Sequence, residues 1–389
     1  MNYEIITDKA QKEKLLKEAH KEYEESIKKY SEKYNVGDDL YKEDIELMTG
    51  GDKMPSYDES HYNEGIRREK NDKDEFEYFY NINDEKVNDA DFSRIQKLHI
   101  PATWNNVWIS KDPDFRIQVI GIDPSNKKQY LYTKEHKDAK KKEKYETLKK
   151  LIVLIPKINN ILNKHLKLEC YDKLKVLSTM LYIILLTGIR AGKEYYTKKN
   201  QTYGLCSLRK KHIKLDGENK DIIFKFNGKK NVIHEHIIYN SNTIYNELLQ
   251  LSKIYLEPNE KDDDKLFNCK EGNFVVKVDE FDLNDYIHEY IDKNIVIKDF
   301  RTYLANYLFV EKLLSLTTSP DLNKTETKKI IKKAIEETAN IIQHTPSICK
   351  SSYIYDEIIE VYKKNPKYFY NNKNKNVVDV LINILKLNQ

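Results

Sequence analysis

His344 stands nine residues ahead of Tyr353 in the segment IIQHTPSICKSSYIYDEI. A phenol has a pKa near 10 and is almost wholly protonated at neutral pH. A tyrosine therefore attacks a phosphodiester only where nearby groups carry the charge that builds up on phosphorus. A histidine one or two helical turns away can do part of this. Arginines and a lysine from elsewhere in the chain can do the rest, and three such residues occur in suggestive contexts. They are Arg190 in TGIRAGKEYY, Lys229 in FKFNGKKNVIHEH and Arg301 in IKDFRTYLANY. Singly, each cation is an ordinary surface residue. The ordered set Arg, Lys, Arg, His, Tyr is much harder to obtain by chance, and its chemistry is phosphoryl transfer to a tyrosine.

The elements that must position these residues are legible from residue 147 onward. YETLKKLIVLIPKINNILNKHLK carries apolar residues at three- and four-residue spacing, with Pro156 inside as an expected kink. A second helix is expected from Asp172 to Thr187, leading into Arg190. HIKLDGENKDIIFKFNGKKNVIHEHII alternates through two glycine-containing turns and reads as a small antiparallel sheet. Lys229 follows Gly228 at a hairpin turn of that sheet. Helices are expected again at Ser241–Tyr255, Leu283–Asp292, Arg301–Leu316 and Thr325–Gln343, and Thr345-Pro346 fixes the turn after the histidine.

Earlier in the chain the texture differs. FEYFYNI, VWIS, FRIQVIGI and QYLYT are short aromatic or β-branched runs separated by turn residues, as strands are. Trp104 and Trp108 read as core residues of this part. Residues 8 to 33 lack glycine and proline and are rich in Lys, Glu, Ala and Leu, which predicts a solvated helix. Residues 34 to 73 read as linker with partial disorder. The expected division is an acidic extension (1–74), a β-rich domain (75–146) and a mainly helical domain with one sheet (147–389), an α+β chain.

Composition excludes several classes. The 389 residues suffice for two or three domains. Net charge is only +4, but about −11 falls in residues 1–92 and about +15 in the remainder, and a basic body of that kind suits nucleic acid. Cys170, Cys206, Cys269 and Cys349 are isolated, with no metal-ligand spacing, and read as thiols of a reducing compartment. His234 and His236 share a strand face without a third ligand. No signal peptide is visible, and the longest apolar run, Met180–Leu186, is too short to span a bilayer. No P-loop or acidic magnesium cluster is evident, so no cofactor or metal is expected. Charge on the phosphorane must then be met by side chains.

The chain resembles the compact type IB DNA topoisomerases of poxviruses, other large DNA viruses and some bacteria. The resemblance rests on RIQKLHIPATWNNVWIS, KKQYLY, GIRAGKEYYTKKNQTYGLCSLRKKHI, the GKK of the lysine segment, KDFRTYLANY and ETANIIQHTPSICKSSY, in family order over roughly residues 75 to 370. Ser351-Ser352 and Gln343 depart from the family, which often has a basic residue and alanine at the first site and glycine at the second. The resemblance implies a small β-rich DNA clamp joined to a helical catalytic domain, acting as a monomer that closes around duplex DNA. It implies a 3′-phosphotyrosyl bond at Tyr353 and phosphorane contacts from Arg190, Arg301 and His344. Lys229 takes the general-acid role in that scheme; its neighbour Lys230 is the residue most easily confused with it. Lys127, Lys128, Gln129, Tyr130 and Tyr132, with Lys193 and Tyr196, are implied DNA contacts. A soluble intracellular protein is expected, working in the virion, virus factory or host nucleus if viral.

Two alternatives stand beside this reading. A tyrosine recombinase uses the same nucleophile, but usually has histidine three residues before its second arginine, where this chain has Lys298. A catalytically silent virion DNA-binding protein would be favoured by loss of a catalytic group, and all five are present. Residues 1–74 could also act as a partner-binding or self-masking arm, or simply as a solubilising tail.

Overall fold

A computed structural model of the protein describes residues 64–256 and 263–386. The helix expected over residues 8–33 lies outside the described residues. The chain divides into two compact units, one ending at His136 and the other beginning at Lys137.

The first unit is a five-stranded antiparallel sheet with one helix. Its elements are β1 (Ile66–Lys70), β2 (Phe76–Tyr80), α1 (Asp89–Lys97), β3 (Asn105–Ile109), β4 (Ile117–Ile122) and β5 (Lys128–Tyr132), in sheet order β2-β1-β3-β4-β5. Alternating side chains supply the core: Ile66, Tyr78, Val107, Ile109 and Val119 from the strands, with Ile95 from α1. Trp108 is buried and Trp104 packs at the margin of this core. Asn88 caps α1 by accepting from the Asp91 amide at 2.8 Å. Arg94 then ties the helix to the sheet by donating to Gln118 Oε1 and the Ser110 carbonyl.

Strand β1 corrects the reading of residues 64–73 as linker, while residues 34–63 of that reading lie outside the described residues. Its sequence, IRREK, is too charged to announce a strand, yet it pairs with both β2 and β3. Only Ile66 reaches the core completely, so tertiary pairing rather than hydrophobic pattern makes this strand. Helix α1 was likewise not anticipated.

The second unit is mainly helical. Helix α2 (Lys134–Leu166) runs through Pro156 without ending there, and α3 (Lys173–Thr187) starts on an Asp172 cap. After α4 (Glu194–Asn200) come β6 (Ile213–Asp216), β7 (Asp221–Asn227) and β8 (Ile233–Ile238), an antiparallel sheet in sequential order. There follow α5 (Asn242–Leu251), the hairpin β9 (Asn268–Glu271) and β10 (Phe274–Lys277), α6 (Glu280–Tyr290), α7 (Ile297–Leu316) and α8 (Lys324–Ile341). Four short helices close the described chain: α9 (Pro346–Ser352), α10 (Asp356–Lys364), α11 (Pro366–Asn371) and α12 (Val377–Lys386). One apolar core unites these elements, with α3 and α7 nearly enclosed at its centre. The β9–β10 hairpin was missed by sequence, and α7 begins four residues before Arg301, so that arginine sits within the helix. No helix among the described residues is long and apolar enough to cross a membrane.

Candidate active site

Each of the four groups Arg190, Arg301, His344 and Tyr353 is delivered by a different local device. Helix α3 ends on Gly188, whose φ of 64° is the left-handed cap conformation that lacks a penalty only in glycine. The chain then turns to present Arg190. Its carbonyl accepts from the Leu205 amide at 2.8 Å, and the Ala191 carbonyl accepts from the Cys206 amide at 2.7 Å. Gly192 makes this crossing possible, because a Cβ there would stand 2.4 Å from Gly204 Cα.

Arg301 is buried in α7. Its guanidinium donates to the backbone carbonyls of Gly188 and Ile342, binding the Arg190 turn to the end of α8. Its Cζ lies 5.3 Å from the centre of the Tyr353 ring. Nε is buried and has no hydrogen-bond partner among the described residues. Burial lowers the Arg301 pKa to about 10, with the Tyr353 hydroxyl opposing and Arg190 adding to the shift. The side chain therefore remains a cation at neutral pH.

His344 follows the end of α8. Gln343 holds a φ of 54°, and the His344 amide donates back to the Ala339 carbonyl at 2.8 Å. Imidazole Nε2 faces two groups: an Arg190 N–H, and the Tyr353 hydroxyl at 3.2 Å. A guanidinium can only donate. With Arg190 donating, Nε2 accepts, and the tautomer that carries its proton on Nδ1 fits this geometry. Burial first, then Arg190, Arg301, His234 and Lys229 in that order, push the imidazole down to about 4. The neutral imidazole thus stands between the Arg190 guanidinium and the Tyr353 hydroxyl.

Thr345 caps α9, accepting from the Ile348 amide, and Pro346 occupies the first turn. Thr345-Pro346 thus starts a short helix whose C-terminal cap is Tyr353 itself. Asn306, fully buried on α7, was not singled out by the sequence. Its amide donates to the Tyr353 carbonyl at 2.8 Å and its oxygen accepts from the Tyr355 amide at 3.1 Å. A polar residue on the buried face of a helix, close after Arg301, was the available signal. Tyr355 is buried against Tyr145, ring centres 5.3 Å apart. Burial, with Asp299, Glu357 and Tyr145, pushes its hydroxyl well above the ordinary phenol range. Tyr353 keeps its hydroxyl in the cationic cluster; Tyr355 does not.

Lys229 occupies the single 3-10 turn Lys229–Asn231 between β7 and β8 and is exposed. Its charge reaches His344, which places it in the electrostatic field of the same cluster.

The expected DNA contacts fall into separate groups. Lys127 lies in the turn before β5, where its amide donates to Asp123. On β5, alternation puts Lys128, Tyr130 and Tyr132 on one face and Gln129 on the other. The two tyrosine rings stack at 6.3 Å, while the Gln129 amide donates to Asp123 at 2.8 Å. Gln129 is thus engaged within the protein rather than aligned with the basic and aromatic stripe. Lys193 is the N-terminal cap of α4, and the Tyr196 ring meets Tyr195 edge-on. Among the described residues, no group of three or more His, Cys, Asp and Glu could hold a metal ion.

Comparison with known proteins gives two family matches. Residues 133–379 match the family described as eukaryotic DNA topoisomerase I, catalytic core, and residues 75–123 match bacterial DNA topoisomerase IB, N-terminal domain. DNA topoisomerase 1B of Acanthamoeba polyphaga mimivirus is 38% identical over 337 residues, covering 85% of this chain and 97% of that protein. DNA topoisomerase 1B of vaccinia virus (strain Copenhagen) is 30% identical over 276 residues, 69% of this chain and 79% of the relative. DNA topoisomerase 1 of Drosophila melanogaster is 26% identical over 64% of this chain but only 24% of its own length.

Proposed function

Because the chain belongs to the type IB DNA topoisomerases, we propose that Tyr353 cleaves one strand of duplex DNA through a 3′-phosphotyrosyl bond. The observation that carries this is the convergence of Arg190, Arg301 and His344 on the Tyr353 side chain. The Tyr353 oxygen bonds to phosphorus as the bond to the 5′-oxygen breaks. Arg190 turns from His344 to a non-bridging oxygen, for which a guanidinium offers two parallel N–H donors. Arg301 remains anchored to two carbonyls and offers its remaining N–H groups. Nε2 of His344, relieved of Arg190, takes the proton that Tyr353 loses and then carries the N–H that a second non-bridging oxygen needs. Lys229 gives the departing 5′-oxygen its proton, a role that a lysine reaching out from a hairpin turn can fill.

The phosphodiester energy is kept in the covalent intermediate, so religation reverses the step without ATP. Between cleavage and religation the cut strand rotates and supercoils relax. The Lys128, Tyr130, Tyr132 stripe, with Lys127, Lys193 and Tyr196, contacts the duplex, and the protein works as a monomer that closes around it. Viral relatives support a role as a soluble enzyme of a virion or infected cell.

Relaxation of positively and negatively supercoiled plasmid in EDTA without nucleotide tests this reading. Both topoisomer ladders are expected to collapse to the relaxed form. Strict dependence on magnesium or ATP would overturn it.

A further inference from the structure

The buried face of the β6–β8 sheet carries a plate of rings that the chemistry above does not use. His234 and His236 on β8 stack on Phe226 of β7, with ring centres 5.7 to 6.2 Å apart and interplanar angles of 10° to 18°. His234 is also the ring beneath Gly228, the residue immediately before Lys229. A Cβ on Gly228 would lie 2.0 Å from His234 Cδ2 and 2.5 Å from Nε2. Gly228 has an ordinary extended backbone with φ of −97°, so conformation does not demand glycine there. Space does: the imidazole occupies the volume a side chain would need.

The turn is pinned from its other side by the backbone. The Gly228 amide donates to the Val232 carbonyl at 2.7 Å, and the Asn231 amide donates to the Gly228 carbonyl at 3.0 Å. Pairing of Phe226 with His234 and of Asn227 with Ile233 brings the strands up to that point. Thus the height of Lys229 above the sheet is set by a ring on one side and two backbone bonds on the other.

We infer that His234 is a positioning residue for Lys229: its planar ring, seated against Gly228, holds the lysine turn where Lys229 meets the leaving oxygen. The inference rests on the reading of Lys229 as general acid. His234 is electrostatically close to Arg190 and Arg301, and burial, followed by those two cations, keeps it uncharged at neutral pH. A neutral plate beneath the turn spares the cluster a further like charge. The role needs a flat ring and no proton, so phenylalanine should substitute where alanine does not.

Single-turnover cleavage of a duplex with an ordinary phosphodiester is compared with cleavage of the same duplex bearing a 5′-bridging phosphorothiolate. A thiolate leaves without needing a proton, so this substrate bypasses the general acid. His234→Ala is expected to slow the ordinary substrate at least about 10-fold, the scale of a misplaced catalytic group. It should cleave the phosphorothiolate within about threefold of the parent, a latitude well inside the range of general acid effects. His234→Phe should stay close to the parent on both. Gly228→Ala, which forces a methyl against the ring, should reproduce the selective loss and serves if His234→Ala fails to fold. Equal slowing of both substrates in His234→Ala and Gly228→Ala, or no slowing at all, would overturn the inference. Lys229→Ala separates the two levels. If its defect is not relieved by phosphorothiolate, the general acid assignment itself is wrong. If Lys229→Ala is relieved and the His234 and Gly228 variants are not, only the positioning role falls.

Discussion

At the scale of single residues, the two tyrosines near the end of α9 differ in what surrounds their hydroxyls. Tyr353 faces His344 at 3.2 Å beside two guanidinium groups, whereas Tyr355 is packed against Tyr145 and anchored through its amide to Asn306. Tyr353→Phe removes one oxygen and little else. It is expected to abolish the covalent adduct on denaturing gels while non-covalent DNA binding stays within about threefold, because phosphate contacts dominate that binding. Tyr355→Phe should still form the adduct; an adduct from Tyr353→Phe would mean a different nucleophile. Gln343 explains one departure from the family. Its φ of 54° is a conformation that glycine adopts freely and a side chain does not. Gln343→Gly is therefore expected to stabilise the protein by about 0.5–1 kcal/mol, with part of the relief offset by the freer unfolded chain. Urea unfolding measures this, and a destabilised variant would show that the Gln343 side-chain bond to the Asn340 carbonyl outweighs the strain.

At the scale of elements, alternation along strand β8 predicts a stability that falls in acid. Its even-numbered residues His234, His236 and Ile238 face the core, and Ile233, Glu235 and Ile237 face outward. Burial pushes His236 down to about 3, with His234, Arg301 and Arg190 adding to it; His212 and His234 are pushed down to about 4 by burial first. The unfolded chain takes up a proton at each histidine near pH 6.5, while the folded chain does not until well below that. More protons are thus bound when unfolded, so stability is present above pH 6.5 and falls as pH drops toward 4. For His236 alone the loss between pH 7 and 5 is up to about 2 kcal/mol. Replacing it with a ring that cannot titrate, His236→Phe, should flatten the decline of denaturation midpoint over that interval. An unchanged pH slope would mean that His236 protonates in the folded state as easily as in the unfolded one.

At the scale of the whole molecule, where the chain can be shortened is decided by sheet pairing rather than by charge. Removing residues 1–63 takes away 16 acidic against 10 basic side chains and leaves every described element in place. Cutting at residue 74 removes the same net charge but also β1, the strand between β2 and β3. It removes Ile66 from the core as well, a loss on the order of 2–5 kcal/mol before any hydrogen bond is counted. The shorter truncation is expected to retain plasmid relaxation, and the longer one to lose solubility or DNA affinity. Equal activity of the two would show β1 to be dispensable. Comparing DNA affinity of the 1–63 truncation with the full chain over a salt series tests the masking arm, since its advantage should vanish as screening rises.

Sequence by itself determined the kind of chemistry and most of the helical frame, because both are written in local patterns. Apolar spacing located much of α2, alternation located β7 and β8, and short motifs carried the family. It named Arg190, Lys229, Arg301, His344 and Tyr353, but could not say how they stand toward one another. Arg301 held by two carbonyls, His344 set against Arg190, and Asn306 beneath the tyrosine are relations across 41 to 154 positions of chain. Such contacts leave no periodic trace. Strand β1 was hidden for the same reason: its charged residues become a strand only because β2 and β3 flank them with unpaired backbone groups. The resemblance names Gln129 beside the basic and aromatic residues, but only the pleat of β5 shows that its amide reaches Asp123. Backbone pairing and close packing bring distant residues together, and those distances exist only once the chain has folded.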